Sequence, residues 1–147
     1  MWERRYDEVV ECLRLAKELY RDGEWTPGDT DRAAAQSVRH STAKWSGLVG
    51  RPWLERSRFL LGLEEPCRAA ATTSTGPLPM LLTTTADLAA QLAEPVSQVT
   101  RAWENRDPAV PVGKWELTCV RDDWWRQADS TGVAVHRVAT LLGSLHV

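Results

Sequence analysis

The side chains with the chemistry for catalysis or metal binding are three histidines (His40, His136 and His146), three cysteines (Cys12, Cys67 and Cys119) and two adjacent carboxylate pairs, Glu64–Glu65 and Asp122–Asp123. Their spacing forms no local device. The sequence contains no HExxH, Glu-x-x-His, CxxC, GxGxxG or GxxxxGK[ST], which removes the metal and phosphate-loop chemistries that depend on those arrangements. A zinc site would require distant parts of the chain to converge, so neither a metal nor a cofactor is expected. Nucleophilic catalysis exists on inventory alone, with Cys119 or Ser41 activated by His40 or His136. Each cysteine, however, lies near an apolar helical face, which favours packed, inert thiols. Adjacent residues on a helix diverge by about 100°, so neither carboxylate pair faces a single substrate. No catalytic set is identified, and whether the chain is an enzyme stays open.

Tryptophan is the other chemically informative residue. There are eight, against two tyrosines and one phenylalanine. A buried indole must find a partner for its N–H, and an exposed one marks an interaction surface. On a single C-terminal helical wheel the core line runs through Leu117, Trp124, Ala128, Val135 and Leu142. Trp115 and Trp125 fall on the opposite side, with Asp122, Asp129 and His136 beside them. That face suits a protein partner or a second copy of the chain, and a small interaction module is the first functional expectation. The alternative is a small-molecule-binding bundle, extending to an enzyme acting on an apolar or aromatic substrate. Its Trp-lined pocket would use Arg39, His40, Trp45, Trp103 and Trp124. A third reading is weak nucleic-acid binding through residues 32–58, where six cations (Arg32, Arg39, Lys44, Arg51, Arg56 and Arg58) interleave with Trp45 and Trp53. The net charge of -2 and the uneven cation spacing argue against nucleic acid as the main partner. Ion pairing of that segment with the acidic first helix is the structural explanation of its charge.

Helices must position these groups, because the apolar residues repeat at helical spacing almost throughout. Tyr6, Val9, Val10, Leu13, Ala16 and Tyr20 define a first helix over about 3–22, with Cys12, Leu15 and Leu19 widening its apolar arc and Gly23 ending it. Thr26-Pro27-Gly28-Asp29 reads as a second helix start with Thr26 as cap. Trp53, Leu54, Leu60, Leu61 and Leu63 form a third element that Pro66 should break or kink, followed by a piece from Cys67 to Thr73. Leu81, Thr85, Leu88, Leu92, Val96, Val99 and Trp103 keep one phase across Pro95, which predicts a kink there. Residues 114–120 alternate like a short strand, yet Leu117 and Val120 also keep helical phase with Trp124, Ala128 and Val135. Helix is preferred there because a lone strand has no partner. Ser130-Thr131-Gly132 is a candidate break.

The expectation is therefore an all-α fold: one helical domain over 1–147, an up-and-down bundle of about five helices with proline kinks near 66 and 95. No apolar run reaches the ~18 residues of a membrane span, and the first residues lack a signal-peptide core, so a cytoplasmic location with reduced thiols is expected.

Overall fold

The structure, a computed structural model, describes residues 2–44, 48, 53–119 and 124–145, leaving aside the side chains of residues 53, 118 and 119. Among the described residues the chain is all helix, with no strand. The helices are α1 (Trp2–Arg21), α2 (Asp29–Thr42), α3 (Trp53–Leu61), α4 (Glu64–Thr73), α5 (Leu78–Ala90), α6 (Ala93–Glu104), α7 (Val112–Cys119) and α8 (Trp124–Ser144). Only two residues separate α3 from α4 and α5 from α6, so six helical runs remain when each pair is taken together.

Proline sets both interruptions. A proline has no N–H to give the carbonyl four residues back, and its ring crowds that carbonyl. Pro66 withholds a donor from Gly62, and Pro95 withholds one from Gln91; the helices break at those residues and resume at Glu64 and Ala93. Each proline thus lies in the first turn of the resumed helix, where a missing N–H costs nothing. The Gln91 carbonyl finds a substitute: the buried Gln127 side chain on α8 donates to it through Nε2 at 2.8 Å.

The breaks also divide the interior. A larger core gathers Val9, Leu13 and Ala16 of α1, Ala34 and Val38 of α2, Cys67 and Ala70 of α4, the Leu78–Leu88 face of α5, and Ala134, Val138, Leu141 and Leu142 of α8. A smaller core gathers Leu54 and Leu60 of α3, Leu63 and Leu92 at the two breaks, Val96 and Val99 of α6, and Ala128 and Val135 of α8. Each fully buried leucine contributes ~1.5–3 kcal/mol. Helix α8, 21 residues and about 31 Å long, runs through both cores. Its buried Thr131 donates to the Gln127 carbonyl at 2.7 Å, so the hydroxyl is satisfied within the helix.

One buried charge anchors α2. Asp31 is 1% exposed. Its Oδ2 accepts from the Gly28 N–H at 2.9 Å and from the Thr75 hydroxyl at 2.7 Å, and its Oδ1 accepts from the Thr75 N–H. The Trp25 indole N–H donates to the same Thr75 hydroxyl at 3.3 Å. Gly76, at φ +60°, lets the chain pass against the Trp25 ring, where an added Cβ would land on the indole. Burial pushes the Asp31 carboxyl up, but the hydrogen bonds from Thr75 and Gly28 and the nearby Arg32 outweigh it and hold it below the ordinary carboxylate value.

Several expectations are corrected. Helix α2 starts at Asp29 with Gly28 as its N-cap, and Thr26 lies outside it, because Asp31 reaches back to the cap N–H. Leu15 is 46% exposed and Leu117 69% exposed, so neither joins a core. Helix α8 continues unbroken through Ser130-Thr131-Gly132, while the helix preferred over a strand is present at 112–119. The α1 carboxylates Glu8, Glu11 and Glu18 pair with Arg4, Arg5 and Arg14 of the same helix, while Arg32 turns to Asp29 and Arg56 to Asp129. The basic segment is therefore not neutralised by α1 through these groups. The expected left-handed residue after α1 is present, with Gly23 at φ +72°.

Asp31→Asn turns one acceptor into a donor facing donors, and it should lower unfolding free energy at neutral pH by about 1–3 kcal/mol in denaturant titrations. Because the folded carboxyl titrates below its ordinary value of about 3.9, its contribution is complete above that pH and is lost as pH falls through the folded value. The Asn variant should accordingly show a shallower loss of stability in acid than the parent.

Candidate functional site

The structure distributes the chemically interesting side chains over three surface grooves. The most apolar lies between α3, α6 and α7 and has a volume of about 340 Å³. Leu54, Trp103 and Trp115 form its walls, with Glu55 and Arg58 at its rim. The two indoles meet edge to face, with ring centroids 5.2 Å apart and planes at 80°, a geometry favoured by the ring quadrupoles. The Arg106 guanidinium lies 3.4 Å from the Trp103 ring centroid, and its Nη1 donates to the Trp103 carbonyl at 2.9 Å. That cation over the ring face steadies the indole. Arg58 is steadied by a 3.2 Å hydrogen bond to the Thr100 hydroxyl, which itself donates to the Val96 carbonyl.

A second groove, about 590 Å³, lies between α2 and α8. Arg39 and His40 come from α2, and His136, Thr140 and Gly143 from α8. The third, about 640 Å³, lies where α1 meets the α5–α6 break and α8. It is lined by Trp2, Glu3, Gln91, Glu94, Trp124 and Gln127, among others. The Arg126 guanidinium stands 5.8 Å from the Trp2 ring centroid, and Glu3 Oε2 is buried there without a hydrogen-bond partner.

The five residues expected to line one pocket are thus spread out. Arg39 and His40 share the α2–α8 groove, Trp103 lines the apolar groove, Trp124 lines the third, and Trp45 lies outside the described residues. The expected partner face divides as well. Trp125, Asp129 and His136 lie along one stripe of α8 at helical spacing, with Val133, 44% exposed, next to them. Asp129 reaches Arg56 of α3 at 3.9 Å. Trp115 stands on α7, facing Trp103, and Asp122 lies outside the described residues. Sequence reasoning missed two meetings. One is that of Trp103 with Trp115, for which the only signal was that the single wheel left Trp115 unexplained. The other is that of His40 with His136, for which spacing carries no signal.

Neither described thiol environment points to a nucleophile. Burial pushes the Cys67 thiol up to about 12, against a small opposing pull from Arg68. Cys12 is half-buried, with its sulfur 3.9 Å from the Thr84 hydroxyl. Among the described residues no three His, Cys, Asp or Glu side chains gather as a metal-holding group. No described helix is long and apolar enough to cross a membrane. In comparisons with known proteins, no family model, no curated protein and no solved structure matches the chain. The fold therefore defines an all-α bundle, and its function has to be read from the grooves.

Native alkylation should leave Cys67 unmodified at pH values where an ordinary thiol, with a pKa of about 8.5, reacts readily. Peptide mapping after iodoacetamide treatment should find Cys67 labelled only when denaturant is added. Rapid native labelling would show that the thiol is accessible and ionised.

Proposed function

We propose that the protein is a small-molecule-binding helical bundle whose site is the groove walled by Leu54, Trp103 and Trp115. The observation that carries this reading is the edge-to-face pair of half-buried indoles at the mouth of an apolar cavity. Most proteins bury such surface, and half-exposed indoles over a cavity provide flat, rigid walls with few rotors to order on binding. A volume near 340 Å³ is at the small end of ligand sites, about 300–1,000 Å³, so the ligand is a compact apolar or aromatic molecule of one or two rings. Glu55 and Arg58 at the rim supply one acceptor and one donor to orient a polar substituent. The described residues of the groove offer binding groups, and the activity proposed for them is binding. The free thiols of Cys12 and Cys67 suit a cytoplasmic setting.

A neutral two-ring probe such as 2-naphthol should move the Trp103 and Trp115 indole N–H resonances saturably and together. Trp115→Leu keeps the wall apolar but removes the indole, and it should weaken that binding about tenfold in a variant that circular dichroism shows to be folded. The proposal fails if a panel of neutral aromatics gives no saturable change, or if only the Trp2 and Trp124 signals respond.

A second reading, as an interaction module, is favoured by the α8 stripe. There Trp125 is half-buried and Val133 is 44% exposed beside Asp129 and His136. A protein partner or a second copy would cover that stripe, with the indole as its anchor. Light scattering over a concentration series measures self-association directly. Under this reading Val133→Glu should abolish any dimer the parent forms, while a parent that stays monomeric throughout removes the homodimer.

A further inference from the structure

We infer that the groove between α2 and α8 is an anion site for a small phosphorylated ligand, separate from the Trp103–Trp115 groove. Arg39 and His40 of α2 and His136, 96 residues beyond His40, bring three nitrogen-rich side chains to one cavity, and no carboxylate is among its described lining residues. Several other arginines have a partner: Arg14 pairs with Glu11 and Glu18, Arg32 with Asp29, and Arg68 with Glu64 and Asp87, while Arg106 lies on the Trp103 ring and Arg58 bonds Thr100. Arg39, by contrast, has no described carboxylate partner, although it is half-buried along Gly143. A guanidinium that gives up part of its hydration without gaining an anion is a binding group awaiting one.

The donor inventory fixes the ligand class. The Thr42 hydroxyl already donates to the Arg39 carbonyl at 3.0 Å, and the Thr140 hydroxyl to the His136 carbonyl at 2.9 Å. Neither proton is left for a ligand. The donors that remain are the planar Arg39 fork, the two imidazoles and the Gln36 amide. A fork with flanking imidazoles matches a tetrahedral oxyanion with several acceptor oxygens, and the roughly 590 Å³ volume admits the organic group that carries it. Gly143 is part of the site's construction. A Cβ there would stand 3.3 Å from Arg39 Nε and 3.5 Å from its Cζ, so the guanidinium would have to give by a few tenths of an ångström.

The test is calorimetric titration of the intact chain with inorganic phosphate, glycerol phosphate and a single-stranded oligonucleotide, at ionic strength fixed with sodium chloride. Glycerol phosphate and phosphate should bind saturably, with chemical-shift changes at both His40 and His136. Arg39→Ala and His136→Gln should each weaken binding about tenfold. Gly143→Ala should weaken it measurably, though less, while leaving every charge in place, which separates a built site from general attraction. Circular dichroism checks that each variant folds, and His136→Gln, at an exposed position, retains the test if the others do not fold. The inference is overturned if phosphate acts no differently from chloride, if Gly143→Ala binds as the parent does, or if only the oligonucleotide binds.

Discussion

The arrangement of this protein depends on two backbone donors that do not exist. Pro66 and Pro95 each leave a carbonyl one turn upstream without its helical partner, and each divides what would be one long helix into two. The division decides which residues share an interior. Helices α4 and α5, on one side of the breaks, join α1 and α2 around the larger core, while α3 and α6, on the other side, close the smaller one. Leu63 and Leu92, at the breaks themselves, are buried in the smaller core. A straight helix through either proline could not turn its two halves toward different partners. The same covalent constraint that costs a hydrogen bond therefore creates a second interior, and with it the grooves around that interior.

What makes the breaks tolerable is α8. It is uninterrupted, it lines both cores, and from it Gln127 reaches the Gln91 carbonyl that Pro95 leaves free. A polar side chain buried at the junction of two cores is costly unless it is bonded, and here the bond also fixes how α8 meets the α5–α6 break. At the other end of the molecule Asp31 has the corresponding role. Its carboxylate ties the start of α2 to the loop after α4, through Thr75, and Trp25 closes over the same threonine. The interior is thus apolar in bulk, and its register is set by two buried polar side chains.

Much of the fold was legible in the sequence, for local reasons. The phase of Leu81, Leu88, Leu92, Val96 and Val99 runs unchanged across Pro95, and all five are buried. The periodic core of α1 likewise holds at Val9, Leu13 and Ala16. What was not legible depended on contacts between distant residues. The carboxylate of Asp31 reads as an ordinary first-turn acid, since its partner Thr75 is 44 residues away. Leu117 reads as core only if one helix continues from it into α8; on the separate helix α7 it faces solvent at 69% exposure. The candidate residues were individually sensible, but their grouping was not, because grouping is a property of helix packing and spacing reports only one helix at a time.

The placement of the indoles has its origin in the same division. The smaller core is made by α3, α6 and one half of α8, with Leu63 and Leu92 from the breaks. Phe59, Leu61, Trp103, Trp115 and Trp124 pack partly buried at its margin, where the large flat indoles cover apolar surface. Tryptophan does this with two rotatable bonds, so the ordering cost per unit of area covered is low. Indoles that close a margin are by construction partly exposed, and Trp103 and Trp115, in edge-to-face contact there, wall an apolar groove together with Leu54. The Trp103–Trp115 pair and the apolar groove are on this account one feature, the margin of a small second core.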